Sequence, residues 1–99
     1  MGLFKSKEEK QKQVRKSFEQ VILSDIKLRN TARAIPPEYD GSEEWRARSD
    51  LYKRQGEWML NKATEELPLM SDEEVKAIWS DRGSYYNKLL KQAEEIIKE

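Results

Sequence analysis

The sequence contains no cysteine and no histidine among its 99 residues. Without cysteine there are no disulfide bonds and no thiolate metal sites. Without histidine the chain lacks the commonest metal ligand and the commonest general base. It also contains neither of the glycine-rich motifs G-x-x-x-x-G-K-[ST] and G-x-G-x-x-G that bind nucleotide phosphates. We therefore expect a protein that is not an enzyme and that uses no metal and no cofactor.

Long apolar runs are also missing. No run approaches the roughly 20 residues that a membrane-spanning helix needs, and the start lacks the apolar core of a secretory signal. Charged residues make up 38% of the chain, with a formal net charge of zero, yet it has three Trp, four Tyr and two Phe. This composition is typical of a folded chain. We expect a cytoplasmic protein with one helical domain over residues 8–99, preceded by a mobile basic tail over residues 1–7.

The amino terminus, MGLFKSKEEK, matches a pattern for N-myristoylation, with Gly2 after the initiator methionine and Ser6 at the required spacing. Lysines follow closely, and a basic patch is the usual second signal for membrane attachment. Attachment at a membrane surface is therefore one alternative function. The pattern is short and recurs by chance, so we favour a basic terminus that leads into the first helix and a protein that does not bind membranes.

Apolar spacing predicts four helices, over about 8–34, 42–67, 72–82 and 84–98. Pro36 and Pro37 separate the first two helices, and Pro68 ends the second. Ser71 and the glutamate three residues later form a capping box for the third. Gly83 is the expected C-cap of that helix. We predict an all-α fold, a small four-helix bundle with long antiparallel helices 1 and 2, a shorter helix 3 and a C-terminal helix 4.

Helix 1 carries a row of residues that step by four and three alternately, which we call the first row. This spacing is typical of a helix packed against another helix, and we expect the row to face helix 2, with Ile22 and Ile26 widening the contact. Asp25 stands in the row where an apolar residue is expected, and we predict that it pairs with Arg29 or Arg33, or lies at the solvent-exposed edge of the row. The first row is Val14, Phe18, Val21, Asp25, Leu28, Ala32 and Ile35.

Helix 2 has small residues at the same spacing, Ser49, Gly56 and Ala63. Glycine costs roughly 1 kcal/mol relative to alanine inside a helix, so Gly56 needs a reason. We predict that this small row allows helix 1 to approach closely.

Aromatic residues are abundant for so small a core, and Trp and Tyr are favoured anchors at protein interfaces. They are equally typical of the core itself. We predict a non-enzymatic protein-binding module, an inhibitor, adaptor or assembly accessory of the kind that phages and mobile elements carry. Its partner is expected to be another protein, and self-association is open. The candidate interface residues are Tyr39, Trp45, Trp58, Trp79 and Tyr85.

Residues 72–98 offer a second alternative, because two helices joined by a short turn resemble a helix-turn-helix DNA-binding unit. Its second helix is expected to present polar residues outward, and the basic start of the chain could add phosphate contacts. The net negative charge of this helix pair makes nucleic acid the less favoured partner. The candidate residues are Ser84, Tyr85, Asn87, Lys88 and Lys91, with Lys10 and Lys12 from helix 1.

Overall fold

A computed structural model describes residues 7–98 of the chain. The elements are α1 (Lys7–Arg33), α2 (Glu43–Glu66), a short 3-10 turn (Leu67–Leu69), α3 (Asp72–Ser80) and α4 (Arg82–Ile96). The predicted four-helix, all-α architecture is confirmed, and residues 7–98 contain no strand. Helix boundaries fall within two residues of the predicted ones. The predicted tail lies mostly outside the described residues, and Lys7 already belongs to α1.

The two long helices run antiparallel, as predicted. Three hydrogen bonds show the direction, because residues late in α1 meet residues early in α2. Ser49 donates to the Ala34 carbonyl (2.6 Å), and Asn30 donates to the Gly56 carbonyl (2.9 Å). At the other end, Arg15 donates to the Leu67 carbonyl (2.8 Å). The pair is therefore fixed along most of its length by polar contacts as well as by packing.

The core lies where α1, α2, α3 and α4 meet. Isoleucines 22 and 26 are the contribution of α1, and each is only 1% exposed. Partly buried side chains pack around this cluster, among them Phe18 and Trp58. The core cluster is Ile22, Ile26, Met59, Ala63, Leu67, Val75, Tyr85, Tyr86, Leu89 and Ala93.

The small row of α2 is buried, as predicted: Ser49, Gly56 and Ala63 are all covered. Gly56 lies directly against Asn30 of α1, and a methyl group added at Gly56 would come within 2.9 Å of the Asn30 Cγ. The close approach of the two helices at this glycine is therefore confirmed.

The predicted partner of that small row is wrong. The first row turns away from α2, and four of its apolar members are exposed: Val14 by 51%, Val21 by 43%, Leu28 by 72% and Ile35 by 62%. The buried face of α1 carries Ile22 and Ile26 instead.

Polar side chains explain this choice of face. Asn30 accepts from the Tyr86 hydroxyl (2.8 Å) in addition to its bond to α2. Arg33 donates to Gln55 (2.8 Å), which in turn donates to the Ile97 carbonyl (2.8 Å). Rotating α1 to bury the first row would break these bonds and leave buried polar groups without partners, which is costly.

The shorter helices begin with side-chain caps. Ser71 and Glu74 form the predicted capping box at α3. Asp81 ends α3 and also caps α4, accepting from the Ser84 backbone N–H (3.3 Å). Gly83 is not the C-cap of α3, contrary to expectation, because it lies inside the first turn of α4. Among the described residues, Gly41 is the glycine with a positive φ (72°), in the loop between α1 and α2.

Candidate functional site: the outer face of α1

The solvent-exposed side of α1 carries six residues that alternate in size, and Ile35 continues the alternation just after the helix ends at Arg33. Four of these seven are apolar and recur every seven residues, and three are small hydroxyl residues placed between them. Because the spacing alternates between three and four, the six within α1 share one side of the helix. Each is exposed. We call this set the outer face of α1; it consists of Val14, Ser17, Val21, Ser24, Leu28, Thr31 and Ile35.

This face carries no charge over 22 residues of a chain in which 38% of residues are charged. Three of its exposed neighbours, Gln13, Gln20 and Ala32, are uncharged as well, and the exposed Lys27 also flanks it. Depletion of charged residues distinguishes the centre of a protein interface from ordinary surface. An uncharged row of this length in so highly charged a chain marks the outer face of α1 as different.

Two of the three hydroxyl groups on this face have partners within their own helix. Ser17 donates to the Gln13 carbonyl (3.0 Å), and Thr31 donates to the Lys27 carbonyl (2.9 Å). A hydroxyl that is already bonded to its own helix can be covered by another molecule at little desolvation cost. These two positions therefore behave as small, nearly neutral contact points.

One edge of the outer face is held by α3 and α4. The Phe18 ring lies 5.0 Å from the ring of Trp79, which is still 38% exposed. Asp25 accepts from Arg29 (2.7 Å), as predicted, and lies 3.7 Å from Arg82 of α4. These contacts occupy Phe18 and Asp25, so the outward half of the first row is what remains open.

A shallow groove adjoins each end of the outer face. The first, of about 250 Å³, includes Val14 and Phe18 and lies between α1 and α3. The second, of about 530 Å³, includes Thr31 and Ile35 and lies between α1 and α2. A molecule bound along the outer face would therefore have a groove at each end for its side chains.

The chain matches no family model, no curated protein and no solved structure. In residues 7–98, no helix has the length and apolar character to cross a membrane. That same stretch holds no cluster of three or more acidic side chains arranged to bind a metal ion. Gly2 and Ser6, which carry the myristoylation pattern, lie outside the described residues.

The aromatic candidates do not form one site. Tyr39 is 66% exposed and lies edge-on to Trp45 at 4.6 Å in the loop region between α1 and α2. Trp45 is half-buried and donates from its indole to the Pro36 carbonyl (3.2 Å). Trp58 is half-buried against the core. Of the predicted tryptophans, Trp79 borders the outer face of α1 through its contact with Phe18.

Tyr85 does not face outward, contrary to expectation. It is 6% exposed, and its hydroxyl donates to Glu66 (3.1 Å). Burial, together with the nearby Glu66 carboxylate, raises the pKa of this tyrosine far above its ordinary value of 10.0. The α4 helix needs Tyr85 in the core, where the regular spacing of Tyr85, Leu89 and Ala93 forms its buried face.

The nucleic-acid candidates fall into two separated groups. The first group, Asn87, Lys88 and Lys91, is exposed on α4, which contacts Asp25 of α1 through Arg82. The second group, Lys10 and Lys12, is exposed on the first turns of α1. From Lys12 to Asn30, where Tyr86 of α4 makes its hydrogen bond, α1 rises by about 27 Å.

The link between the two helices is also unlike that of a DNA-binding unit. A single residue, Asp81, separates α3 from α4, whereas helix-turn-helix units use a turn of about three or four residues. The basic residues therefore do not form one patch around a recognition helix.

Serine and threonine were the part of the outer face that sequence reasoning missed. The first row was assigned by apolar spacing alone, which placed Phe18 and Asp25 beside the valines. The signal in the sequence for Ser17, Ser24 and Thr31 is the absence of charge at their helical positions, since the charged residues of this region lie at other positions.

Proposed function

We propose that this chain is a non-enzymatic protein-binding module whose binding surface is the outer face of α1. One observation carries the proposal. A row with the spacing of a helix-packing contact lies on the surface, and no helix within residues 7–98 covers its outward half. A row with this spacing and exposure is a suitable binding surface for a helix of another polypeptide.

The composition of the face favours a protein partner over a membrane. Helices that lie in a membrane surface have a broad apolar side with large residues and are flanked by Lys and Arg. On the outer face of α1, single aliphatic residues alternate with small hydroxyl residues. The flanking positions are mixed in character: Gln13, Gln20 and Lys27 on one side, and Phe18, Asp25 and Ala32 on the other. A narrow row of this kind fits the ridge of a second helix, at a distance of about 8–10 Å between helix axes.

The exposure of the aliphatic side chains on this face also supports a protein partner. Leu28 of α1 is 72% exposed, and an aliphatic side chain of this size gains roughly 1.5–3 kcal/mol when it is fully buried. Val21 lies two turns earlier on the same side of the helix, and Ile35 follows the end of the helix. Burial of these three side chains against a partner is the main favourable contribution to the proposed contact.

The test is photo-crosslinking in the native cells with the reactive amino acid placed at Leu28. A matched control places it at Leu69, an equally apolar leucine that is 88% exposed on the short 3-10 turn. We expect a discrete protein adduct from position 28 and no such adduct from position 69. Mass spectrometry of the adduct then identifies the partner.

Two further variants sharpen this test. Val21→Lys is expected to abolish the adduct formed from position 28, because a charge buried in an apolar contact is costly. Lys91→Glu, on α4, is expected to leave it unchanged. If positions 28 and 69 gave the same adducts, or gave none, the proposed binding surface would be rejected.

A further inference from the structure

We infer that the outer face of α1 binds a second copy of this chain, with the two α1 helices antiparallel. The inference rests on the proposed function, since it names the occupant of the same surface. Three properties of the face support it: the sizes of the side chains that would face each other, the charges that flank the contact, and the extent of the contact.

Size is the first argument. When two such helices run in opposite directions, each apolar position of one faces a small position of the other. Val14 lies opposite Thr31 of the second copy, Ser17 opposite its Leu28, and Val21 opposite its Ser24. Every layer then combines one large and one small side chain, so the packing is even along the contact. A two-fold axis between the copies makes all of these pairs occur twice.

A parallel pair lacks this match. Valine would face valine in one layer and serine would face serine in the next. The small layers would leave gaps, and gaps lose dispersion contacts on both sides. The alternation of apolar and hydroxyl residues on the outer face therefore favours the antiparallel arrangement.

Charge selects the register. In the register described, Gln20 flanks Lys27 of the second copy, and Phe18 flanks its Asp25. A shift by one heptad toward the carboxyl ends would bring Lys27 against its own equivalent and Asp25 against its own equivalent. Like charges at such positions are destabilising. A shift by one heptad toward the amino ends would place Leu28 opposite Lys10. In the favoured register, Asp25 keeps its ion pairs with Arg29 and Arg82 and does not meet another carboxylate.

Area sets the expected strength. The paired stretch runs from residue 14 to residue 31, which is about 27 Å of helix, and a helix is about 10 Å wide. Such a contact belongs to the small class of interfaces, below about 1,200 Å² in total, which is typical of reversible association. We therefore expect a dimer with a Kd in the micromolar range.

Analytical ultracentrifugation of the purified chain, from about 1 µM to about 1 mM, brackets this Kd. We expect a reversible monomer–dimer equilibrium. Val21→Lys is expected to weaken dimerisation by at least about tenfold, since it places an unpaired charge in the contact. The control Leu69→Lys, at an exposed leucine away from α1, is expected to leave it unchanged.

Orientation can be tested directly because the chain has no cysteine. Val14→Cys and Thr31→Cys proteins are prepared separately, mixed and oxidised. We expect the mixed disulfide to dominate, with little product from either variant alone. Dominant self-linkage of Val14→Cys would show a parallel pair and overturn the inferred arrangement.

The outcomes separate this inference from the proposed function. A chain that stays monomeric throughout the concentration range would overturn the second copy as occupant. A different protein crosslinked at position 28 would then leave the binding surface itself supported. A dimer that resists Val21→Lys but is lost in Leu69→Lys would overturn the inference as well, because it would place the contact elsewhere.

Discussion

The two sides of α1 have similar apolar content but opposite surroundings. On the inner side, Ile22 and Ile26 are 1% exposed, and Asn30 bonds to both α2 and α4. On the outer side, Leu28 is 72% exposed and Val21 is 43% exposed. Hydrophobicity alone therefore does not decide which side of this helix is buried.

Polar groups make the difference between the two sides. The inner side carries Asn30 and Arg33, whose hydrogen bonds need specific partners on the neighbouring helices. On the outer side, the Ser17 and Thr31 hydroxyls bond to their own helix and need no partner from the rest of the chain. A helix with two apolar sides is oriented by the side whose polar groups fit, and the other side stays available for binding.

The largest expected effect compares two aliphatic residues that are two positions apart on α1. Ile26→Ala removes a fully buried side chain and is expected to lower the free energy of unfolding by about 2–5 kcal/mol. Leu28→Ala, on the outer face, is expected to change it by no more than about 0.5 kcal/mol. Urea unfolding at low protein concentration measures both. Similar losses from the two variants would show that the two sides contribute equally to the fold.

The next effect concerns the contact between Gly56 and the inner side of α1. Gly56→Ala should bring its methyl group within 2.9 Å of the Asn30 Cγ, and Asn30 is held by two hydrogen bonds. We expect the overpacking cost of about 1–3 kcal/mol to outweigh the gain of about 1 kcal/mol in helix propensity.

Gly83→Ala is the matched control for this effect, because the nearest atom outside its own helix, the Arg29 Nη2, is 3.7 Å from the added methyl. That variant should be neutral or more stable by up to about 1 kcal/mol. Stabilisation by both alanines would show that α1 and α2 do not pack closely at Gly56.

A smaller effect compares two serine hydroxyls. Ser49 is buried and donates to the Ala34 carbonyl, so Ser49→Ala is expected to cost about 1 kcal/mol. Ser17 is exposed and donates within its own helix, so Ser17→Ala is expected to be nearly neutral or slightly stabilising. Thermal unfolding resolves the two. A loss of stability in Ser17→Ala as large as in Ser49→Ala would mean that the outer face supports the fold.

The smallest expected effect is a loss of stability at high pH, and it is absent at neutral pH. Burial raises the pKa of Tyr85 and Tyr86 above the ordinary value of 10.0. Their neutral forms therefore stabilise the fold fully below that value, and this stability is lost as the pH rises above it. We expect the urea midpoint to fall with increasing pH above about 10. Tyr85→Phe should reduce that slope, and an unchanged slope would argue against a buried Tyr85 hydroxyl.

Local features of the fold could be predicted from the sequence. Helix boundaries followed from Pro36, Pro37 and Pro68, and the cap at Ser71 and the ion pair of Asp25 with Arg29 followed from spacing. Each depends on residues that are neighbours in the chain. The close approach at Gly56 could also be predicted, because a glycine inside a helix is costly without a packing reason.

The orientation of α1 could not be predicted in the same way. It depends on pairs such as Asn30 with Tyr86 and Arg33 with Gln55, which are distant in sequence. Apolar spacing detected a helix-packing row but could not say whether its partner lies in the same chain. The row could therefore be recognised from the sequence. That the row forms an exposed surface follows only from the hydrogen bonds that fix the inner side of α1 against the other helices.

The most direct test of this account is the thermal midpoint of the wild-type chain and of Val21→Lys, each measured at increasing protein concentration. Association with a second copy stabilises the folded state by mass action. We predict that the two proteins have the same midpoint when dilute, and that the wild-type midpoint rises with concentration well before that of the variant. A wild-type midpoint independent of concentration, or a variant that is less stable even when dilute, would contradict the assignment of the outer face of α1 to binding a second copy of the chain.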